Sequence, residues 1–194
     1  MSWAIPKADT YFGPLLEADP RGFQIDHLAV ALKHCRGRRT AVDGGAHIGT
    51  WSRHLADQFM RVISFEPAAD TYRCLVENTK AHSNVETIEQ ALGEVRGRAK
   101  VIDDPTRSGN TGARYIGAGD SVTVMPLDAY HLADVDFLKL DVEGYELMAL
   151  RGAAETIELS HPVIIIEVKR LRSGHDPLAA AGWLTAAGYG EVGR

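Results

Sequence analysis

The stretch Arg39-Thr40-Ala41-Val42-Asp43-Gly44-Gly45-Ala46-His47-Ile48-Gly49-Thr50 decides the fold. Residues 39–43 form a short apolar run that ends in an acid, and three glycines follow between positions 44 and 49. A short apolar run stopped by glycine reads as a buried strand. Beyond Gly49 the period changes: Trp51, Leu55 and Phe59 lie one turn apart, so residues 50–59 read as a helix. Strand, glycine turn and helix are the first unit of an open α/β sheet, which places its ligands at the carboxyl ends of its strands.

Reading outward from this unit, the alternation continues. Residues 62–65 read as a second buried strand stopped at Glu66-Pro67, residues 70–82 as a helix with Leu75, Val76 and Thr79 inward, and residues 84–92 as a third strand. Residues 93–120 carry six glycines and alternating short runs, which predicts short strands or an insertion. Residues 122–126 read as a short strand and residues 135–141 as a core strand, followed by helix over about 145–159. Residues 162–167 contain Val-Ile-Ile-Ile, the most β-branched run in the chain, and predict a central strand. A last helix spans 176–187 and Gly188 caps it. Upstream, residues 1–21 hold three prolines and read as an arm, and residues 22–35 have helical spacing closed by Gly37. The pattern predicts a mostly parallel sheet with right-handed crossovers and helices on both faces. We divide the chain into an N-terminal arm and helix, residues 1–38, and a globular remainder, 39–194.

Composition bounds the function. The 194 residues suit one domain, and 45% hydrophobic with 24% charged content is that of an ordinary globular protein. No apolar run approaches the roughly 20 residues of a membrane span, and residues 1–20 lack a signal peptide's apolar stretch. Cys35 and Cys74 show no metal-binding spacing. These features predict a cytoplasmic protein. Lys plus Arg total 21 against 26 Asp plus Glu, a net charge of −5, which argues against a nucleic-acid partner. The basic cluster Lys33, Arg36, Arg38 and Arg39 reads as a solvated helix end.

The glycine turn narrows the ligand. In a dinucleotide fingerprint Gly44 and Gly49 would be the first and third glycines, but Ala46 occupies the second position, where a pyrophosphate needs to approach the backbone. Asp43 adds a negative charge there. A carboxylate suits instead the ammonium group of a bound amino acid, such as the methionine part of S-adenosylmethionine. Glu66 follows Asp43 by 23 positions, close to the spacing of about 20 for an acid that holds ribose hydroxyls.

In order along the chain, Asp43-Gly-Gly-Ala-x-x-Gly49, Phe65-Glu66-Pro67, Asn78, Ala91-Leu92-Gly93 and Leu127-Asp128 resemble the FkbM family of S-adenosylmethionine-dependent methyltransferases. So do Phe137-Leu-Lys-Leu-Asp141-Val-Glu143-Gly144-Tyr145-Glu146, Leu150-Arg-Gly152-Ala153 and Pro162-Val-Ile-Ile-Ile-Glu167. The resemblance covers about residues 40–168, and Asp-Val-Glu-Gly-Tyr-Glu is its most family-specific part. It implies a Rossmann-like class I methyltransferase fold and methylation of a hydroxyl on a sugar, glycolipid or other small molecule. It further implies that Asp43, Gly44, Gly45, Ala46, His47, Gly49 and Thr50 cradle the methionine part, that Glu66 with Pro67 holds the ribose, and that Gln90 and Ala91 flank the adenine. Asp141 and Glu143 would face the transferred methyl and the acceptor. Such enzymes commonly finish with a two-stranded hairpin, for which only residues 189–194 remain, so a shortened or missing hairpin is expected.

A sugar hydroxyl benefits from a general base, and Asp141, Glu143 and Glu167 are the candidates near two strand ends. Each has a structural rival: N-capping of the helix near Tyr145 for Asp141 and Glu143, and an ion pair with Lys139 or Lys169 for Glu167. Nothing in the sequence brings the three acids together, so no metal is expected. Lys139, Asp141, Glu167 and Lys169 are also similar to the set of RNA ribose methyltransferases, which the acidic balance disfavours. An NAD-binding oxidoreductase and a cofactor-binding protein without turnover remain as alternatives. His47 is either a ligand contact or an exposed loop histidine, and Asn110-Thr111-Gly112 either lines the acceptor pocket or is a plain turn.

Overall fold

The computed structural model describes residues 3–19, 24–167 and 178–193. The chain opens with helices α1 (Phe12–Ala18) and α2 (Ile25–Leu32), then alternates β1 (Thr40–Gly44), α3 (Thr50–Ala56), β2 (Arg61–Phe65), α4 (Ala69–Thr79) and β3 (Val85–Ile88). Strands β4 (Ala91–Leu92), β5 (Gly97–Ile102) and β6 (Tyr115–Met125) follow. The last third runs β7 (Val135–Leu140), α5 (Glu146–Arg151), α6 (Ala154–Ser160), β8 (Val163–Ile166) and α7 (Ala179–Ala186).

Five strands make a wholly parallel sheet in the order β3-β2-β1-β7-β8. The chain winds outward from β1 to β3 and then returns to the other side of β1, so the strand order reverses between β1 and β7. That crevice is where a Rossmann-like sheet binds ligands. Alternate residues of each strand enter opposite layers, as the two-residue strand period requires. Val42, Ile63 and Leu138 pack into one core with Leu150 and Ile157, whereas Ala41, Val62 and Phe137 pack into the other with Leu28, Trp51, Leu55 and Phe59. Both faces are covered, which explains why the strands read as continuous apolar runs. Fully burying a ring such as Phe65 or Phe137, each at most 1% exposed, contributes about 1.5–3 kcal/mol.

A second sheet, β4-β6-β5, holds the glycine-rich insertion, with β4 parallel and β5 antiparallel to β6. The expected strand over 84–92 is therefore two strands in two sheets, and the strand expected over 122–126 is the end of a longer one. Other expectations are corrected. Val76 is exposed, not inward, although Leu75 and Thr79 are buried. The arm contains α1, whose Phe12 and Leu16 bury against Ile48 of the glycine turn. The helix after Tyr145 breaks in two at Gly152, where a Cβ would lie 1.9 Å from the Gly93 carbonyl oxygen. Asp128 restarts it, accepting from the backbone N–H of Glu155 and Thr156 and from the Thr156 hydroxyl.

The Val-Ile-Ile-Ile strand is not central: among the described residues β8 pairs with β7 alone, and no strand follows it. Its apolar run reflects helices on both faces, not neighbours on both edges. The helix expected over 176–187 is observed as α7, with residues 176 and 177 outside the described residues. In the basic cluster, Arg38 donates to the carbonyls of Leu32, Cys35 and Gly37 at the end of α2, and Arg39 pairs with Asp136. Among the described residues no helix is long and apolar enough to cross a membrane.

Candidate active site

A cavity of about 280 Å³ opens at the carboxyl ends of β1, β2, β7 and β8. Its floor is the glycine turn, and Tyr11 and Phe12 of the arm and Thr111 of the insertion also line it. The turn is shaped by close backbone approach at the switch point. Gly45 has φ +73°, and a Cβ there would lie 1.9 Å from the Asp141 carbonyl oxygen. Gly45 and Ala46 both donate their N–H to the Phe65 carbonyl, at 3.0 and 2.9 Å, which ties the turn to β2.

Asp43 does not reach the cavity. It is fully buried beneath the turn, where one carboxylate oxygen accepts from Ser52 at 2.7 Å and the other lies 3.1 Å from Lys139 Nζ. Register explains the pairing, because Asp43 stands opposite Lys139 on the neighbouring strand. Lys139 also donates to the Gly45 carbonyl at 2.8 Å. Burial alone would lower the Lys139 pKa, but the carboxylates of Asp43 and Asp141 outweigh it and hold the pKa above its ordinary value. Asp43, expected to meet a ligand, thus faces Lys139 and is not among the residues that line the cavity. Gly44 and Gly49 likewise shape the turn without lining the cavity, whereas Gly45, Ala46, His47 and Thr50 line it.

Glu66 reaches the cavity from the end of β2 and is 7% exposed. Oε1 accepts from Ala68 N–H and the Thr71 hydroxyl, and Oε2 from His47 N–H at 2.9 Å. Burial pushes its carboxyl up from the ordinary value, against the pull of these three bonds. Pro67, Gln90 and Ala91 line the same side, and Gln90 Oε1 accepts from the Tyr130 hydroxyl at 2.6 Å.

Asp141, Glu143 and Glu167 face the cavity from the ends of β7 and β8, and one oxygen of each lies within 4.8 Å of the others. The tertiary fold thus assembles the cluster that the sequence left dispersed. No side chain caps α5 at Tyr145, and Glu146 Oε1 instead ties down the preceding loop, accepting from the N–H groups of Val142 and Gly144, both at 3.1 Å. Glu143 adopts φ +49°, a left-handed conformation that costs a non-glycine residue energy and is concentrated at functional sites. Lys139 pairs with Asp43, and Lys169 lies outside the described residues. Three hard oxygens at this spacing can accept a hydroxyl proton or hold a small divalent cation.

His47 is half-buried, not an exposed loop histidine, and Phe12 packs on its ring at 4.4 Å between centroids. Burial pushes its pKa down to about 4. Asn110, Thr111 and Gly112 all line the cavity, as do Arg107 and Arg114 of the same insertion. The reading of the sequence missed the two arginines and the whole contribution of the arm. Isolated arginines among the insertion's glycines were the only available signal. Arg114 anchors this roof by bonding both oxygens of Asp70, at 2.6 and 3.0 Å.

Known proteins resemble this chain in sequence and in fold. The model of the methyltransferase FkbM domain matches residues 43–190. Hexuronic acid methyltransferase AglP of Haloferax volcanii is 26% identical over 166 residues, 82% of this chain and 66% of AglP. The FkbM methyltransferase structure from Methylobacillus flagellatus KT is 24% identical, with a TM-score of 0.47 over 68% of this chain and 33% of that one. Precorrin 8w decarboxylase of Methanobacterium thermoautotrophicum, 17% identical with a TM-score of 0.54 over 87% of this chain and 73% of its own, shares the fold. The chain therefore spans just under two thirds of AglP and a third of the Methylobacillus protein. With the match running from the glycine turn to the last described helix, the chain belongs to the FkbM methyltransferase family.

Proposed function

We propose that this chain binds S-adenosylmethionine in the cavity and transfers its methyl group to a hydroxyl of a sugar or similar small acceptor. One observation carries the reading: the glycine turn, the buried Glu66 and the three-carboxylate cluster all open into one cavity at the strand-order reversal. The residues fit the cofactor. Gly45 lets the backbone pass where a side chain would collide, and Glu66 Oε2, held by a single bond from His47, keeps a lone pair for a ribose hydroxyl. Gln90, Ala91 and Pro67 bound the side left for a base. AglP, named for methylating a hexuronic acid, supports a sugar acceptor.

When bound, the cofactor supplies an electrophilic methyl on a sulfonium, and the protein aligns the acceptor with it and excludes water. One carboxylate of the cluster accepts the acceptor's hydroxyl proton as general base. Lys139 keeps Gly45 in place through its carbonyl bond. Helix α1 of the arm works with the parallel sheet as one unit, because Phe12 forms part of the cavity wall. Calorimetry with S-adenosylhomocysteine and with NAD tests the reading. Binding of the first alone is expected. Tight NAD binding with no response to S-adenosylhomocysteine overturns it.

A further inference from the structure

The arm and the insertion meet the glycine turn through a chain of three side chains. The Thr111 hydroxyl and Thr111 N–H both donate to Asp9 Oδ2, at 2.5 and 2.9 Å. Asp9 Oδ1 accepts from the N–H groups of Tyr11 and Phe12. Although burial works against it, these bonds hold the Asp9 carboxyl below its ordinary value, so it is an ionised acceptor. The single proton of the Thr111 hydroxyl is therefore committed to Asp9. Thr111 Oγ1 also lies 2.7 Å from His47 Nε2, and towards the imidazole it can only accept. His47 is thereby fixed as the tautomer with its proton on Nε2, and Nδ1 carries a bare lone pair. Among the described residues that Nδ1 is buried without a hydrogen-bond partner, on a ring that lines the cavity. A buried acceptor left unsatisfied costs free energy that a ligand donor can recover.

Asp43, the acid that the sequence offers for a ligand ammonium, is occupied by Lys139 and Ser52, and the Gly45 carbonyl accepts from Lys139. Among the turn's side chains, His47 offers the acceptor Nδ1 on a ring that lines the cavity. We propose that His47 Nδ1 accepts a hydrogen bond from the α-ammonium group of the bound cofactor, and that the Asp9–Thr111 pair creates this acceptor by setting the tautomer. The inference rests on the cofactor reading above. It makes the N-terminal arm a determinant of cofactor affinity, although Asp9 does not line the cavity.

Two measurements test it. In the free protein, a two-bond proton–nitrogen correlation spectrum of ¹⁵N-histidine-labelled protein at neutral pH is expected to show His47 with Nε2 protonated. Adding S-adenosylhomocysteine is expected to shift the Nδ1 resonance. The second is calorimetry on side-chain mimics. His47→Asn keeps an acceptor near the Nδ1 position and tolerates the backbone φ of +53°, so its affinity for S-adenosylhomocysteine stays within a few-fold of the parent. His47→Gln keeps a donor towards Thr111 but loses the acceptor, and its dissociation constant rises by about 10- to 100-fold, the size of one bond to a charged group. Thr111→Val releases the tautomer and weakens binding several-fold, with mixed tautomers in the spectrum. An Nδ1-protonated ring in the free parent, or equal affinity in His47→Gln and parent, overturns the inference while the cofactor reading stands. A folded parent that does not bind S-adenosylhomocysteine overturns both.

Discussion

Replacing Asp43 by Asn tests the buried pair beneath the glycine turn. Asp43 is 0% and Lys139 4% exposed, and their charged atoms lie 3.1 Å apart. The substitution keeps the side chain's shape and its contact with Ser52 but leaves the Lys139 ammonium buried without a counter-charge. Breaking a buried pair from one side costs about 3–5 kcal/mol. At about 2–4 °C per kcal/mol for a chain of this length, the melting temperature falls by roughly 10 °C. Asp43→Asn with Lys139→Met removes both charges, and most of the loss returns, because no uncompensated charge is left buried. The remaining deficit comes from the Gly45 carbonyl, which loses its 2.8 Å bond from Lys139 and costs about 1–3 kcal/mol. Urea denaturation of the parent, both single variants and the double variant measures the coupling energy, with an unchanged m-value as the check on two-state unfolding. A single Asp43→Asn variant within 1 kcal/mol of the parent refutes the pairing argument. A variant with parental stability but lost S-adenosylhomocysteine binding returns Asp43 to direct ligand contact.

Gly45→Ala drives a methyl group to 1.9 Å from the Asp141 carbonyl at a positive φ, so a loss above about 4 kcal/mol or insoluble protein is expected on expression and thermal melting; a parental melting temperature contradicts the close approach. The folded His47 pKa of about 4 lies below the ordinary 6.5, so the unfolded chain binds more protons between these values and stability rises with pH across that window. At 1.36 kcal/mol per unit the contribution is about 3 kcal/mol, fully present above pH 6.5 and lost as pH falls through 4; denaturation of parent and His47→Asn at pH 4.5 and 7 shows whether the variant loses this slope. Asp141→Asn, Glu143→Gln and Glu167→Gln should each bind S-adenosylhomocysteine as the parent does, and the one that removes the base lowers turnover about 10²–10⁴-fold. Full turnover in all three rules out a carboxylate base, and activity abolished by EDTA and restored by magnesium assigns the cluster to a cation instead.

Much of the architecture was legible because its signals are local. The change from apolar run to helical spacing around Gly44, Gly45 and Gly49 marks a strand, a turn and a helix whatever lies beyond them. Repeating that alternation over Val62, Leu75 and Val85 requires crossover connections and a parallel sheet. Glu66 was identifiable from its place after an apolar strand, and Asp141, Glu143 and Glu167 from theirs, since strand ends carry the ligands of this class of sheet.

What stayed hidden depends on which strands and loops become neighbours. Asp43 looked available because its partner stands 96 positions later, on a strand whose place beside β1 is set by sheet order alone. The three carboxylates became a cluster, and Lys139 became the partner of Asp43, through the pairing of β7 with β1 and β8. The sequence left His47 open between a ligand contact and an exposed loop position, and Phe12 and Thr111 cover it from segments that carry no periodic signal. Local turn chemistry and periodicity thus established the fold class and the strand ends that bear the site. Burial, charge pairing and the proton positions that set its chemistry are long-range properties, and only the folded chain decided them.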